Sequence, residues 1–207
     1  MTKARLEAFS DGVFAVAITL LALDLAVGGP GAKSLADQLG DKWPSYVAYV
    51  VSFFIVGITW VNHHSLFGAI AVVDRALLFL NLLLLMFIVA IPFGTATLAA
   101  YLTADKSDAH LAAALYAAIL EGAGISFTLI FTWSVRDPRR RHHPLTREDV
   151  RPAVLRFGLG AILYLVAIAV AFVSPWATLA IVAAMALYYL FEQVTDPLAS
   201  AAQLRRG

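Results

Sequence analysis

The residues with chemical potential are few and fall into small groups. Near the N-terminus stand Arg5, Phe9, Ser10 and Asp11. Further along come Trp60, Asn62, His63 and His64, then Asn81, and later a solitary Glu121. A carboxylate, a hydroxyl and an imidazole together can relay protons or hold helices in one hydrogen-bonded network. They make a poor metal site. His63 and His64 are adjacent, about 100° apart on a helix, whereas helical zinc pairs are spaced i, i+4. Cysteine is absent, which removes thiol nucleophiles, disulfides and Cys-based zinc sites. There is no Ser-His-Asp order, no HExxH and no phosphate loop, so the chain reads as a non-enzyme with no cofactor and no metal.

These groups are embedded in a very apolar chain. Of 207 residues, 61% are hydrophobic and 14% charged, against about 45–50% and about 25% in a soluble domain. That excludes disorder and argues for a membrane protein. Six apolar runs are long enough to span a bilayer, at about 6–27, 46–70, 76–102, 109–135, 154–173 and 176–194. The breaks between them include Gly28-Gly29-Pro30-Gly31, Trp43-Pro44, the polar stretch Arg136 to Arg151, and Ser174-Pro175. Pro92 is expected to kink the third span. A short surface helix is expected over Ser34 to Gly40. The first run has polar residues in its first half and no small-residue cleavage pattern, so it reads as a span rather than a signal peptide. The expected architecture is one all-α membrane domain over residues 1–207, with six transmembrane helices.

Lysine and arginine set the orientation. With the N-terminus inside, the inner segments hold Lys3, Arg5, Arg75, Arg136, Arg139, Arg140, Arg141, Arg147, Arg151, Arg205 and Arg206, eleven in all, against Lys33, Lys42 and Lys106 outside. Both termini are therefore expected in the cytoplasm, in a multi-pass protein of the cell membrane. Trp43, Tyr46, Tyr101, Trp133 and Trp176 lie near span ends, where interface anchors belong. The net charge is only +1, so no nucleic-acid surface is implied. The arginine- and histidine-rich loop at Arg139 to His143 suits contact with anionic lipid.

Polar groups inside a span must have partners, because a charge at the bilayer centre costs roughly 2.5–3.5 kcal/mol. Asp11 and the Trp60–His64 group lie toward the same membrane side. The expected solution is a shared network of Asp11 and Ser10 with an imidazole and Arg5. Asn81 is expected to bond between helices. Glu121 should be paired, protonated or facing a wet crevice. The first span also carries a stripe. Val16, Leu20 and Leu23, at i, i+4 and i+7, share one face, with Gly12 and Val27 in line. Thr19 flanks the stripe and Asp24 lies beside it near the outer end. Such a stripe is either a seam between helices or the lining of a pore.

The string Arg5-Leu-Glu-Ala-Phe9-Ser10-Asp11, read as R-x-x-x-F-S-D, resembles the signature of the lysosomal potassium-channel family, transmembrane protein 175. Ala15 to Leu23 and the group Trp60-Val-Asn62-His63-His64 extend the resemblance. It implies a homotetramer in which four first helices surround a central pore. Carried onto this chain, the apolar rings are Val16, Leu20 and Leu23, with Thr19 and Asp24 at the flank or mouth. Family members often carry isoleucine at the innermost ring, so Val16 implies a slightly wider one. The implied function is passive conduction of potassium and other monovalent cations through a hydrophobic constriction. Potassium sheds part of its water shell more readily than sodium, and the T-V-G-Y-G carbonyl filter is absent. Arg5, Phe9, Ser10, Asp11, Trp60, Asn62, His63 and His64 are implied as a structural network. The alternative is a proton- or cation-coupled transporter that uses Asp11, His63, His64 and Glu121 as a relay, although repeated halves are not evident.

Overall fold

The computed structural model describes residues 2–31, 33–104, 106–142 and 160–195. Every long apolar run in this part of the chain becomes a helix, because in hydrocarbon each backbone N–H and C=O must be satisfied within its own segment. Helix α1 covers Lys3–Leu20 and continues as a 3₁₀ turn over Leu21–Leu25. After a loop comes α2, Leu35–Asp41, the short helix expected between the first two spans. Ser34 caps it by accepting the Asp37 N–H at 3.1 Å. Helices α3 (Trp43–Ala69), α4 (Arg75–Tyr101) and α5 (Lys106–Arg136) follow. Helix α6 is described over Gly160–Ala171, and α7 over Pro175–Thr195. The only extended pairing among the described residues is one isolated bridge between Ile70 and Arg141.

Four of these segments are long and apolar enough to cross a membrane: Lys3–Leu25, Trp43–Ala69, Arg75–Tyr101 and Ser107–Arg136. The described part of α6 and α7 up to Leu190 are shorter apolar helices. The start of the fifth expected span, and Arg147, Arg151, Arg205 and Arg206, lie outside the described residues. Pro92 sits inside a continuous α4.

Among the described residues, helices α4 and α5 form the most extensive pairing. Gly122 makes it close. A Cβ there would lie 2.2 Å from the Phe87 ring, so only glycine lets α5 approach α4 at this height. A fully buried polar triad ties α3, α4 and α5 together. Ser52 Oγ lies 2.8 Å from Thr95 Oγ1 and 2.8 Å from the Tyr116 hydroxyl. Helix α7 packs on α3 and α5, while α1 leans on α3 and α4.

The two ends of the bundle differ in charge. At one end Lys3 donates to the carbonyls of Gly68 and Ile70, closing the C-terminus of α3. The Arg140 carbonyl accepts the Ala71 N–H at 2.7 Å, which brings the Arg136–Arg141 segment to the same end as Arg75. The Arg140 guanidinium covers the Trp133 ring at 4.4 Å. Trp133 is thus a buried residue rather than the lipid anchor its position suggests. At the opposite end Trp43 and Trp176 stack at 5.1 Å and stay exposed. There the Asp41 hydrogen bond and charge hold the Lys33 ammonium above its ordinary pKa.

Candidate ion pore and its supporting network

Helix α1 has two opposite faces. Leu6, Ser10, Phe14, Ala17 and Leu21 are buried against α3 and α4. The other face carries the stripe. Val16 is 55% exposed, Leu20 38% and Leu23 70%. The 3₁₀ turn preserves that line, because residues three apart eclipse in such a turn and Leu23 stays in register with Leu20. No seam within the described chain covers these side chains. Beside this line lie exposed small residues, Ala8, Gly12, Ala15, Thr19 and Ala22. A Cβ on Gly12 would meet nothing within 4 Å. The Thr19 hydroxyl donates to the Val16 carbonyl at 2.8 Å, so its proton is engaged by the backbone and only its lone pairs remain free to accept. Asp24 is half-buried, and its backbone carbonyl accepts from Lys42 at 3.1 Å.

The polar residues behind the stripe divide into two chains of contacts. In the first, Ser10 donates to the Leu6 carbonyl and accepts from Asn81 Nδ2 at 3.0 Å. Asn81 Oδ1 in turn lies 2.9 Å from His63 Nε2. Ser10, Asn81 and His63 are all buried, and the chain joins α1, α4 and α3. The His63 ring is stacked on Phe67 at 4.0 Å and tilted against Phe14 at 5.4 Å. In the second, the Trp60 indole N–H donates to Asp11 Oδ1 at 2.9 Å.

This differs from the expected network in four respects. Asp11 is bound by an indole, not by an imidazole, because His63 faces Asn81 and His64 faces outward. His64 contacts Trp60 only through its ring, at 6.2 Å. Arg5 and Phe9 are exposed and stand outside the network within the chain. Asn62 lies on another side of α3, half-buried and facing the α5–α7 side of the bundle. Asn81, expected only as an interhelical bond, is the hub. Glu121 is buried, and its Oε2 has no hydrogen-bond partner among the described residues. No group of three or more metal-ligating residues occurs among the described residues.

Comparison with known proteins identifies the family. Residues 5–92, which hold the stripe and both polar chains, match the family described as endosomal/lysosomal potassium channel TMEM175. A potassium channel of Streptomyces collinus is 47% identical over 206 residues, covering 96% of each chain. The chain belongs to the TMEM175 family. Among solved structures, the crystal structure of a lysosomal potassium-selective channel TMEM175 homologue from Chamaesiphon minutus superposes with a TM-score of 0.81. That protein is 37% identical, and the match covers 92% of this chain and 97% of the other. The endosomal/lysosomal proton channel TMEM175 of Gallus gallus is 34% identical over 157 residues, which are 71% of this chain and 31% of that protein. TMEM175 is a family of ion channels, not of enzymes, and its all-α membrane fold is the one seen here.

Proposed function

We propose that the chain is a potassium-permeable channel whose conduction path is lined by the first helix of four identical subunits. One observation carries this reading. The outward face of α1 combines the exposed apolar line Val16, Leu20 and Leu23 with small residues, and small residues in a membrane helix favour close contact with protein rather than lipid. Cyclic assembly of four chains would turn each stripe residue into a ring. Three apolar rings then form a constriction that passes ions only when wide enough to stay wet. Membership of the TMEM175 family supports potassium as the permeant ion.

In this reading Ser10, Asp11, Trp60, His63 and Asn81 clamp α1 to α3 and α4 and so set the ring diameter. The contacts suit a clamp better than a relay. Tryptophan is a donor only, so the Asp11–Trp60 bond cannot pass a proton onward. An asparagine amide likewise separates Ser10 from His63. Arg5 and Phe9, exposed within one chain, are available to a neighbouring subunit. The more cationic end, with Lys3, Arg5, Arg75 and the Arg136–Arg141 segment, faces the cytoplasm in this reading. The α6 and α7 segments complete a set of six spans.

The test is ion flux from liposomes holding the purified protein. Potassium and caesium are expected to leave faster than sodium, with no second gradient required. Val16→Ala, Leu20→Ala and Leu23→Ala are expected to raise the leak. Unaltered flux in all three would place the constriction on another helix, and flux that follows a proton gradient would favour coupled transport.

A further inference from the structure

At the cationic end, three parts of the chain meet on the turn between α3 and α4. The Lys3 ammonium, at the start of α1, donates to the Gly68 carbonyl at 3.2 Å and to the Ile70 carbonyl at 2.8 Å. The segment after α5 clasps the same turn. The Ala71 N–H donates to the Arg140 carbonyl at 2.7 Å, and the His142 N–H donates to the Ala69 carbonyl at 3.0 Å. Between these bonds lies the Ile70–Arg141 bridge, with Ile70 fully buried. A displacement of the arginine segment therefore displaces the carbonyls that hold Lys3.

The arginines of this segment divide the work. Arg140 Nη1 donates to the Trp133 carbonyl at 2.8 Å and Arg141 Nη1 to Ser134 Oγ at 3.1 Å, which fastens the segment to the last turn of α5. Arg136 and Arg139 face outward. The Arg139 side chain is 92% exposed, and its contact with Asp137 at 3.7 Å is a weak surface pair. The neighbouring carboxylates are already engaged. Asp137 accepts the Arg139 N–H at 3.0 Å, Asp74 accepts the Leu77 N–H at 2.8 Å, and Glu7 lies 4.0 Å from Lys3. Arg136 is the last residue of α5, a helix long and apolar enough to cross a bilayer, so both outward guanidiniums stand at the edge of the hydrocarbon. A guanidinium fork matches a phosphate, and lipid phosphates lie at that height. We infer that Arg136 and Arg139 form a docking surface for the phosphate of an anionic phospholipid, and that the Arg140–His142 clasp passes its occupancy to the start of α1. The docking surface rests on the membrane fold alone. Its effect on conduction rests on the α1 pore reading: a segment anchored to lipid resists movement of α1, so anionic lipid lowers flux.

The experiment places the purified full-length protein in phosphatidylcholine vesicles with and without phosphatidylglycerol. Native mass spectrometry reads the lipid that stays bound. Phosphatidylglycerol is expected to be retained over phosphatidylcholine, and Arg136→Gln and Arg139→Gln should each weaken that preference about fivefold. Lys33→Ala, at the opposite end, should leave it unchanged. Amide hydrogen exchange reads the transmission. Phosphatidylglycerol should slow exchange over residues 3–9 about twofold or more in the unaltered protein. Lys3→Met should retain the lipid as before and lose that slowing. Equal retention of the two lipids overturns the docking surface, and so does a loss in Lys33→Ala as large as in the arginine variants. Unslowed exchange in the unaltered protein, or slowing that persists in Lys3→Met, overturns the transmission. Inorganic phosphate added to phosphatidylcholine vesicles should not slow exchange; if it does, free phosphate rather than lipid is the occupant. Potassium flux is expected to be lower in the phosphatidylglycerol vesicles. Retention and exchange do not depend on conduction, so an absence of flux in every vesicle would count against the pore reading and leave the lipid site decided.

Discussion

The outward faces of α1 and α4 are both apolar, yet they are built differently. From Phe79 to Phe93 the exposed positions of α4 are Phe79, Leu82, Met86, Val89 and Phe93, bulky at every step. On α1 the exposed Val16, Leu20 and Leu23 run beside a row of exposed small residues, Ala8, Gly12, Ala15, Thr19 and Ala22. Bulky side chains suit lipid, which conforms to any surface. Small residues suit a rigid neighbour, because dispersion gains require close approach of backbones. Exposure in a single subunit thus has two meanings, and side-chain size tells them apart.

The largest expected effect tests that distinction directly. Gly12→Phe should break the proposed tetramer into smaller species and abolish ion flux, while Met86→Trp on the α4 face should leave both assembly and flux unchanged. Native mass spectrometry and liposome flux measure the two outcomes. If both substitutions behave alike, the difference between the faces carries no meaning.

Next in size is the buried hub behind α1. Asn81→Ala would remove bonds to Ser10 and His63, leaving His63 Nε2 buried without that partner and Ser10 with only its bond to the Leu6 carbonyl. A loss of about 1–3 kcal/mol is expected, since unsatisfied buried groups carry their full desolvation cost. Thermal unfolding in detergent reads it. An unchanged melting temperature would mean that α1 is held by apolar contacts alone.

Trp60→Phe probes the second contact chain at smaller cost. Trp60 is 42% exposed, so losing its bond to Asp11 should cost about 1 kcal/mol or less. Its main signature should be a changed open probability in single-channel recordings, with the potassium-to-sodium ratio preserved. A changed ratio with unchanged gating would assign Asp11 to the ion path instead. The smallest effect belongs to the fully exposed Lys33–Asp41 pair at the end of the bundle with fewer cationic residues. Lys33→Ala should leave melting and flux at their original values, because water and salt screen such a pair. A measurable loss there would show that the α2 loop braces the mouth.

Some of this was legible in residue order. The first four expected spans agree with Lys3–Leu25, Trp43–Ala69, Arg75–Tyr101 and Lys106–Arg136 to within three residues at each end. The Ser34 cap and the helix after it were also readable, because capping depends on neighbours three residues apart. The partners of the polar groups were not. Asp11 and both histidines occupy the right depth, but helix rotation turns His63 toward Asn81 and leaves Trp60 to meet Asp11. The Ser52–Thr95–Tyr116 triad went unread, although three hydroxyls inside apolar runs were a visible signal that they needed one another.

Run length and charge asymmetry are local quantities, so residue order by itself determined that this is a helical membrane protein and which residues form the stripe. Where each helix turns its faces depends on packing between segments far apart in the chain. Only the tertiary structure therefore decided that Val16, Leu20 and Leu23 lie uncovered within one chain, that Asn81 joins three helices, and that Glu121 is buried with its Oε2 unpaired among the described residues. The physical reason is that a hydrogen bond needs its atoms within about 3 Å, a tolerance that rotation of a helix by one residue exceeds.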